Sequence, residues 1–299
     1  MMEDATVSDD GVLSSLRYLF ADLIGEEDDA PPFLPEGLPE SVAPATGDAV
    51  HMLIDYQSTA YAQLYVDRLQ RFVGRRGVDD VMLGEIARLM AMRMSYQDPI
   101  RIAQLKLAEI AGAGAGTHPR PADDVRKFRL DELIDVLPAI IAEYVLDALE
   151  WFGWLHKPVS IRFSVRNWWG IRRLKVEAWL KRWRRYSVRY AKERVWVERW
   201  LHMIDRGLTK QPQAASEIVQ TATLVQGYGD PYRQGLADWH AIIDGLVKPA
   251  FDGALDLPDL AAAIAEARAA AMPDPRQAAL KRKIAEIRAR MPAGANAAE

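Results

Sequence analysis

Residues 171–208 read IRRLKVEAWLKRWRRYSVRYAKERVWVERWLHMIDRGL, and the spacing within this stretch decides the fold. Ile171, Leu174, Trp179, Trp183, Tyr186, Tyr190, Val197, Trp200, Leu201 and Ile204 step by threes and fours, which is the period of one helix face. Nothing in the pattern breaks it. The reading is one long, basic, Trp-rich helix over about 171–206, set in an all-α, multi-helix bundle. Trp183 falls at core spacing and is expected to be buried.

The other side of that helix is cationic: Arg172, Arg173, Lys175, Lys181, Arg182, Arg184, Arg185, Arg189, Lys192 and Arg194. Such a face can be solvated and partly ion-paired, can meet an acidic protein surface, or can follow phosphates. Interleaved aromatics would suit base stacking. Here they recur at core spacing, which makes nucleic acid the weakest of the three readings. Arg182 and Arg185 are the candidate contact residues on this face.

Upstream, Thr46 to Phe72 carries apolar residues at helical spacing and predicts one long helix stopped by Gly74 and Gly77. A second helix is expected over Asp79–Tyr96, with Val81, Ile86, Leu89, Met90 and Met94 inward. Asp98-Pro99 starts a third, running to Gly112. The glycines at 112, 114 and 116 follow a helix and lead into prolines. A dinucleotide loop would instead follow a strand and open a helix, so a linker is expected. Asp131 to Trp154 is strongly apolar and is placed centrally. Ser160–Arg166 alternates Ile161, Phe163 and Val165 with polar residues and is the one short extended segment expected. Downstream, Ala214–Val225 and Asp230–Val247 are helical, and Leu257–Met291 is helical in two pieces split at Pro273-Asp274-Pro275. Residues 46–290 are read as a single helical domain. An acidic, Pro-rich leader over 1–45, with a short helix at Val12–Gly25, precedes it, and a disordered tail over 291–299 follows.

The turn Gly227-Tyr228-Gly229 opens the helix that carries Asp230, Pro231, Tyr232 and Arg233. Glycines there permit positive φ, Asp230 is expected to cap, and Pro231 fits the first turn. Tyr228, Asp230, Tyr232 and Arg233 form an aromatic–arginine group suited to partner contact.

The 299 residues contain 0 Cys, which removes thiolate nucleophiles, disulfides and Cys-held zinc or iron–sulfur clusters. Neither a Gly-x-Ser-x-Gly elbow nor a Gly-Lys-Ser/Thr loop occurs. Glu198, His202 and Asp205 share a helix face, as do His51 with Asp55 and His240 with Asp244. One helix supplies only part of a coordination shell, so these are read as ordinary surface pairs and no metal site is assigned. No stretch approaches the roughly 18 apolar residues of a membrane span, and no signal-peptide pattern opens the chain. The expected location is the cytoplasm.

Five segments carry a likeness to a known family. They are Leu53-Ile54-Asp55-Tyr56-Gln57 with Ala60-Tyr61-Ala62 and Tyr65-Val66-Asp67-Arg68-Leu69; Met94-Ser95-Tyr96-Gln97-Asp98 with Ile100-Arg101-Ile102-Ala103 and Leu105-Lys106; Leu180-Lys181-Arg182-Trp183-Arg184-Arg185 with Arg189-Tyr190; Glu198-Arg199-Trp200-Leu201; and Gly227-Tyr228-Gly229-Asp230 with Arg233 and Gly235. In this order they resemble the helical domain of unknown function appended to beta subunits of proteobacterial indolepyruvate oxidoreductases, members of the 2-oxoacid:ferredoxin oxidoreductases. The likeness runs from about Leu34 to the C-terminal helices.

The resemblance implies a complex that oxidatively decarboxylates aryl-pyruvates to acyl-coenzyme A, using thiamine diphosphate and iron–sulfur clusters. In that family the region follows an α/β catalytic-type domain, where this chain has a short acidic leader. Cluster cysteines and a diphosphate motif have no counterpart here. Both cofactors are therefore implied only for a partner subunit, and no catalytic or cofactor-binding residue carries over. The resulting expectation is a non-catalytic accessory subunit bound to the large catalytic subunit of a 2-oxoacid oxidoreductase. The alternative is a free-standing helical module whose basic helix engages an anionic protein or nucleic acid. A third reading puts a small-molecule pocket around Trp151, Trp154, Trp168 and Trp169.

Overall fold

A computed structural model describes residues 31–114, 122–165, 167–271, 274 and 276–290, and the first helix among them begins at Ala43. Helix α1 (Ala43–Tyr56) buries Thr46, Ala49, Val50, Leu53 and Tyr56, one face at the helical period. Helix α2 (Thr59–Gln70) is separate from it, which corrects the single helix expected over 46–72. Ser58 takes an extended backbone and its side chain accepts from the Tyr61 amide, capping α2. Residues 35–42, read as linker, are docked: Pro35 and Val42 are buried, and Glu36 N–H donates to Gln70 at 2.8 Å. The expected helix at 12–25, the acidic residues 26–29, the linker residues 116–121 and the tail 291–299 lie outside the described residues.

Helix α3 (Asp80–Met94) is capped by Asp79, and α4 (Pro99–Gly114) by Asp98, which accepts from the Arg101 amide at 2.6 Å. Ile86, Leu89, Met90 and Met94 are buried as expected, whereas Val81, in the first turn of α3, is exposed and Leu83 points inward instead.

The next stretch departs from the sequence reading. Strand β1 (Asp124–Arg129) pairs antiparallel with β2 (Pro158–Phe163), in a register running from Asp124 opposite Phe163 to Arg129 opposite Pro158. The extended segment expected near 160–166 is β2, which starts two residues earlier and ends at Phe163, and β1 is an unforeseen second strand. Only Phe128 in β1 is a fully buried apolar side chain, so its alternation carries almost no hydrophobic signal. Between the strands lie α5 (Leu130–Ile134) and α6 (Ala139–Trp151). Far from central, α6 is peripheral: Ile141, Tyr144 and Trp151 are exposed.

Helix α7 (Trp168–Trp179) packs on α4 and helps close a small core of Ile102, Ala103, Phe128, Phe163 and Leu174. The chain then tightens into a 3₁₀ segment (Leu180–Tyr186) before α8 (Val188–Lys210), so the continuous helix expected over 171–206 is in fact broken. A 3₁₀ residue turns about 120° against 100° for an α residue, so seven of them shift the phase by roughly 140°. That shift brings Arg184 into the core at 1% exposure and leaves Trp183 only half-buried, reversing both expectations. Ser187 fixes the break, with its hydroxyl donating to Arg184 C=O at 2.6 Å and accepting from the Tyr190 amide at 3.1 Å.

The remaining helices are α9 (Ala215–Gln220), α10 (Gly229–Ile242), continuing through a π turn (Ile243–Val247) into α11 (Lys248–Phe251), then α12 (Leu260–Ala270) and α13 (Ala278–Ala289). They wrap α8 and join α1–α3 in the main core, where Trp200 and Trp239 are the largest fully buried side chains. The fold is thus all-α, a multi-helix bundle carrying one two-stranded sheet.

Candidate functional site

Helix α10 begins as the glycines dictate: Gly227 and Gly229 take φ of 71° and 70°. Tyr228, between them, is the N-cap residue and contributes no side-chain cap, so Asp230 is not the cap expected of it. Asp230 sits exposed in the first turn and pairs with Arg233. Arg233 reaches across to Glu132 of α5 as well. Tyr228 lies on Phe128 of β1, with ring centroids 5.2 Å apart, and its hydroxyl accepts from Arg126 at 3.0 Å. That bond and the neighbouring Asp124 hold the Arg126 guanidinium above its ordinary pKa. Tyr228, Asp230 and Arg233 therefore meet at one junction, where α10 is fastened to the small sheet.

The other three candidates lie elsewhere. Tyr232 is buried beneath Arg189, whose guanidinium carbon stands 3.7 Å from the ring centroid, with Arg93 at 5.6 Å on the same ring. Burial pushes the Tyr232 phenol up, and the carboxylate of Glu193 adds to that shift. Arg182 is exposed on the 3₁₀ segment, and Arg185 packs over Tyr186.

Sequence reasoning missed the charge network beneath. Arg184 makes a two-pronged pair with Asp98, at 2.8 and 3.0 Å, and stacks on Tyr56. Arg93 pairs with Glu193 at 2.7 Å, and Arg189 pairs with the same carboxylate at 2.9 Å. Part of the expected basic face is thus internally neutralised, since Arg173 and Lys192 also have acidic partners. The residues at metal-like spacing are likewise engaged. Arg68 and Arg71 hold Glu198, Arg75 holds Asp205, and Arg101 holds Asp55. Burial opposes ionisation of Glu198, yet the two guanidiniums outweigh it and hold its carboxyl below the usual range.

His240 lies 3.0 Å from Arg199, with Asp244 on the other arm of that guanidinium. Burial lowers the His240 pKa, Arg199 lowers it further, and Asp244 works the other way. Between that lowered value and about 6.5, the unfolded chain binds more protons than the folded one, so stability should rise with pH across this window. Urea midpoints taken from pH 5 to 7 should show a slope that His240→Gln reduces. An unchanged slope in the variant would remove His240 as its source.

Beside the junction, a cleft of about 640 Å³ opens between α10, the preceding 3₁₀ turn (Thr221–Leu224) and the end of α12. Gly235 forms part of its wall, where a Cβ would stand 2.0 Å from the Leu224 carbonyl oxygen, so only glycine allows this approach. Asp238 lines the cleft at 4% exposure and accepts from the amides of Gln234 and Gln277 at 2.9 and 2.7 Å, both through Oδ1. Its place in the sequence held a clue. Three residues after Gly235 and four before Ile242, an acid stands in the inward phase of α10.

A second surface feature is aromatic. Trp151 is 81% and Trp169 72% exposed, with Tyr144, Phe152, Trp154 and Trp168 also exposed. Trp151, Phe152 and Trp154 touch in series, and Trp168 and Trp169 touch each other. The third reading, a pocket between helices around Trp151, Trp154, Trp168 and Trp169, does not fit, because all four side chains stand exposed on the surface.

A family model described as a family of unknown function, DUF6537, matches residues 42–245. The chain belongs to that family. The DUF6537 region spans about two thirds of the chain, from the residue before α1 into the π turn. It contains the small sheet, the buried arginines and the α10 junction, while α12 and α13 lie beyond it. No curated protein and no solved structure matches the chain. Among the described residues, no helix is long and apolar enough to cross a membrane.

Proposed function

We propose that the protein is a non-catalytic accessory subunit, cytoplasmic, that docks through its exposed aromatic surface onto the large catalytic subunit of a 2-oxoacid oxidoreductase of the indolepyruvate type. The observation that carries docking is two clusters of rings standing in water, Trp151 with Phe152 and Trp154, and Trp168 with Trp169, with Tyr144 exposed as well. Large exposed apolar patches are uncommon on monomers and mark contact sites, and Trp is the residue most enriched at energetic hot spots. Lys157 lies over Trp154 and Arg172 over Trp168, so the surface presents aromatics flanked by cations. It therefore fits an apolar partner face with an acidic rim.

The identity of the partner rests on the likeness of the five segments quoted above, four of which contribute to the buried charge network or the α10 junction. The thiamine diphosphate and iron–sulfur chemistry belongs to that partner, and this chain contributes binding surface.

The test is co-purification and titration with the thiamine-diphosphate subunit of such a complex. Trp151→Ala together with Trp154→Ala should weaken binding by about 30-fold or more. Because both side chains are exposed, the melting temperature should stay within about 2 °C of the parent. A parent protein that does not bind this subunit would sink the reading. So would a double variant that binds as tightly as the parent.

A further inference from the structure

We propose that the cleft beside α10 is a binding site for a small organic cation, an ammonium group carried on an apolar body. The inference is independent of the docking surface, which lies on other elements.

Its volume, about 640 Å³, falls within the range of small-molecule sites, roughly 300–1,000 Å³. Leu224, Pro231, Gly235 and Ala271 supply apolar wall. The charge in the cleft is set by three residues. Arg233 is answered by Glu132 and Asp230, so it offers little to an incoming anion. Nearby Arg268 is occupied by Glu217 at 2.6 Å.

Asp238 is different. It is 4% exposed, pairs with no Lys or Arg among the described residues, and uses one oxygen for both amide donors. Its Oδ2 accepts no hydrogen bond among the described residues. A carboxylate withdrawn from water without a cation is costly, and it favours any cation that can reach it. The two amide donors aim the group without neutralising it. Gln277, one of those donors, is the single non-glycine residue with positive φ among the described residues, at 54°. Its backbone occupies a region that costs an ordinary residue about 1–2 kcal/mol, and its side chain reaches Asp238. A largely apolar cleft that holds an aimed carboxyl group with no Lys or Arg partner among the described residues is the chemistry of an amine site.

The probe is phenethylamine, with 2-phenylethanol as the uncharged molecule of similar shape, each titrated by calorimetry into the full chain. Phenethylamine should bind, and 2-phenylethanol should bind at least tenfold more weakly. Asp238→Asn keeps the oxygen that accepts from Gln234 and Gln277 but removes the charge, and should abolish the preference for the amine. Asp230→Asn, at an exposed position, should reduce it by a smaller factor. Equal affinity for amine and alcohol in the parent protein would overturn the proposal without reference to any variant's folding. Absence of amine binding at millimolar concentration, or full amine affinity in Asp238→Asn, would overturn it too.

Discussion

Replacing Arg184 with methionine should cost about 3–5 kcal/mol of folding stability, because it leaves a buried carboxylate without its cation. Arg184 is 1% exposed and Asp98 4%. The guanidinium grips both Asp98 oxygens, donates to Tyr56 C=O at 2.6 Å, and lies 3.9 Å above the centroid of the Tyr56 ring. Burial works against its charge, but Asp98 more than restores it and holds the group above the ordinary Arg value. Burial pushes the neighbouring Tyr96 phenol up and the Asp98 carboxylate adds to that shift, while Arg184 works the other way. Urea denaturation of Arg184→Met, Asp98→Asn and the double variant forms the decisive cycle. The double variant should be more stable than the sum of single losses predicts, by about 0.5–3 kcal/mol, because neutralising Asp98 removes the orphaned charge. Strict additivity would show that the pair is not coupled. The loss matters beyond local packing, since the contact ties α1, α4 and the 3₁₀ segment together across the bundle.

Trp239→Ala should be comparably damaging, at about 3–5 kcal/mol. Trp239 is fully buried, donates its indole N–H to Thr221 Oγ1 at 3.0 Å, and meets Trp196 edge-on at 5.2 Å. Trp196 in turn stacks on Trp200. Truncation therefore opens a large cavity at the centre of the main core and removes the hydrogen bond that the Thr221 hydroxyl accepts, leaving only its donation to Ile218 C=O at 2.6 Å. For a chain of this size the melting temperature should fall by about 2 °C or more per kcal/mol. Trp183→Ala, at a half-buried position, should cost markedly less. If the two variants lose equal stability, the 3₁₀ rotation that takes Trp183 out of the core is wrong.

Helix existence and type were legible from residue spacing, because an apolar face at 3.6 residues per turn has to be buried somewhere whichever neighbour buries it. So were the starts of α3, α4 and α10: Asp79, Asp98 and the Gly227–Gly229 turn act through bonds within four residues of themselves. Of the candidate site, Tyr228, Asp230 and Arg233 were named from sequence and do gather at one junction, but their partners Phe128, Arg126 and Glu132 come from a strand and a helix about 100 residues away. Tertiary structure alone decided what the charges do. Spacing places Arg184 and Arg189 on an outer, basic face. Asp98 arrives from the start of α4 to hold Arg184 inward. The distant rings of Tyr96 and Tyr232 enclose Arg189, whose acidic partner Glu193 is on its own helix. Only tertiary structure paired β1 with β2 and left α6 exposed, since a strand with one buried apolar side chain, Phe128, cannot announce its partner. The division follows from range: capping, turn conformation and periodicity are settled within about one turn of chain, whereas ion pairing, strand register and exposure depend on which distant segment arrives to share the space.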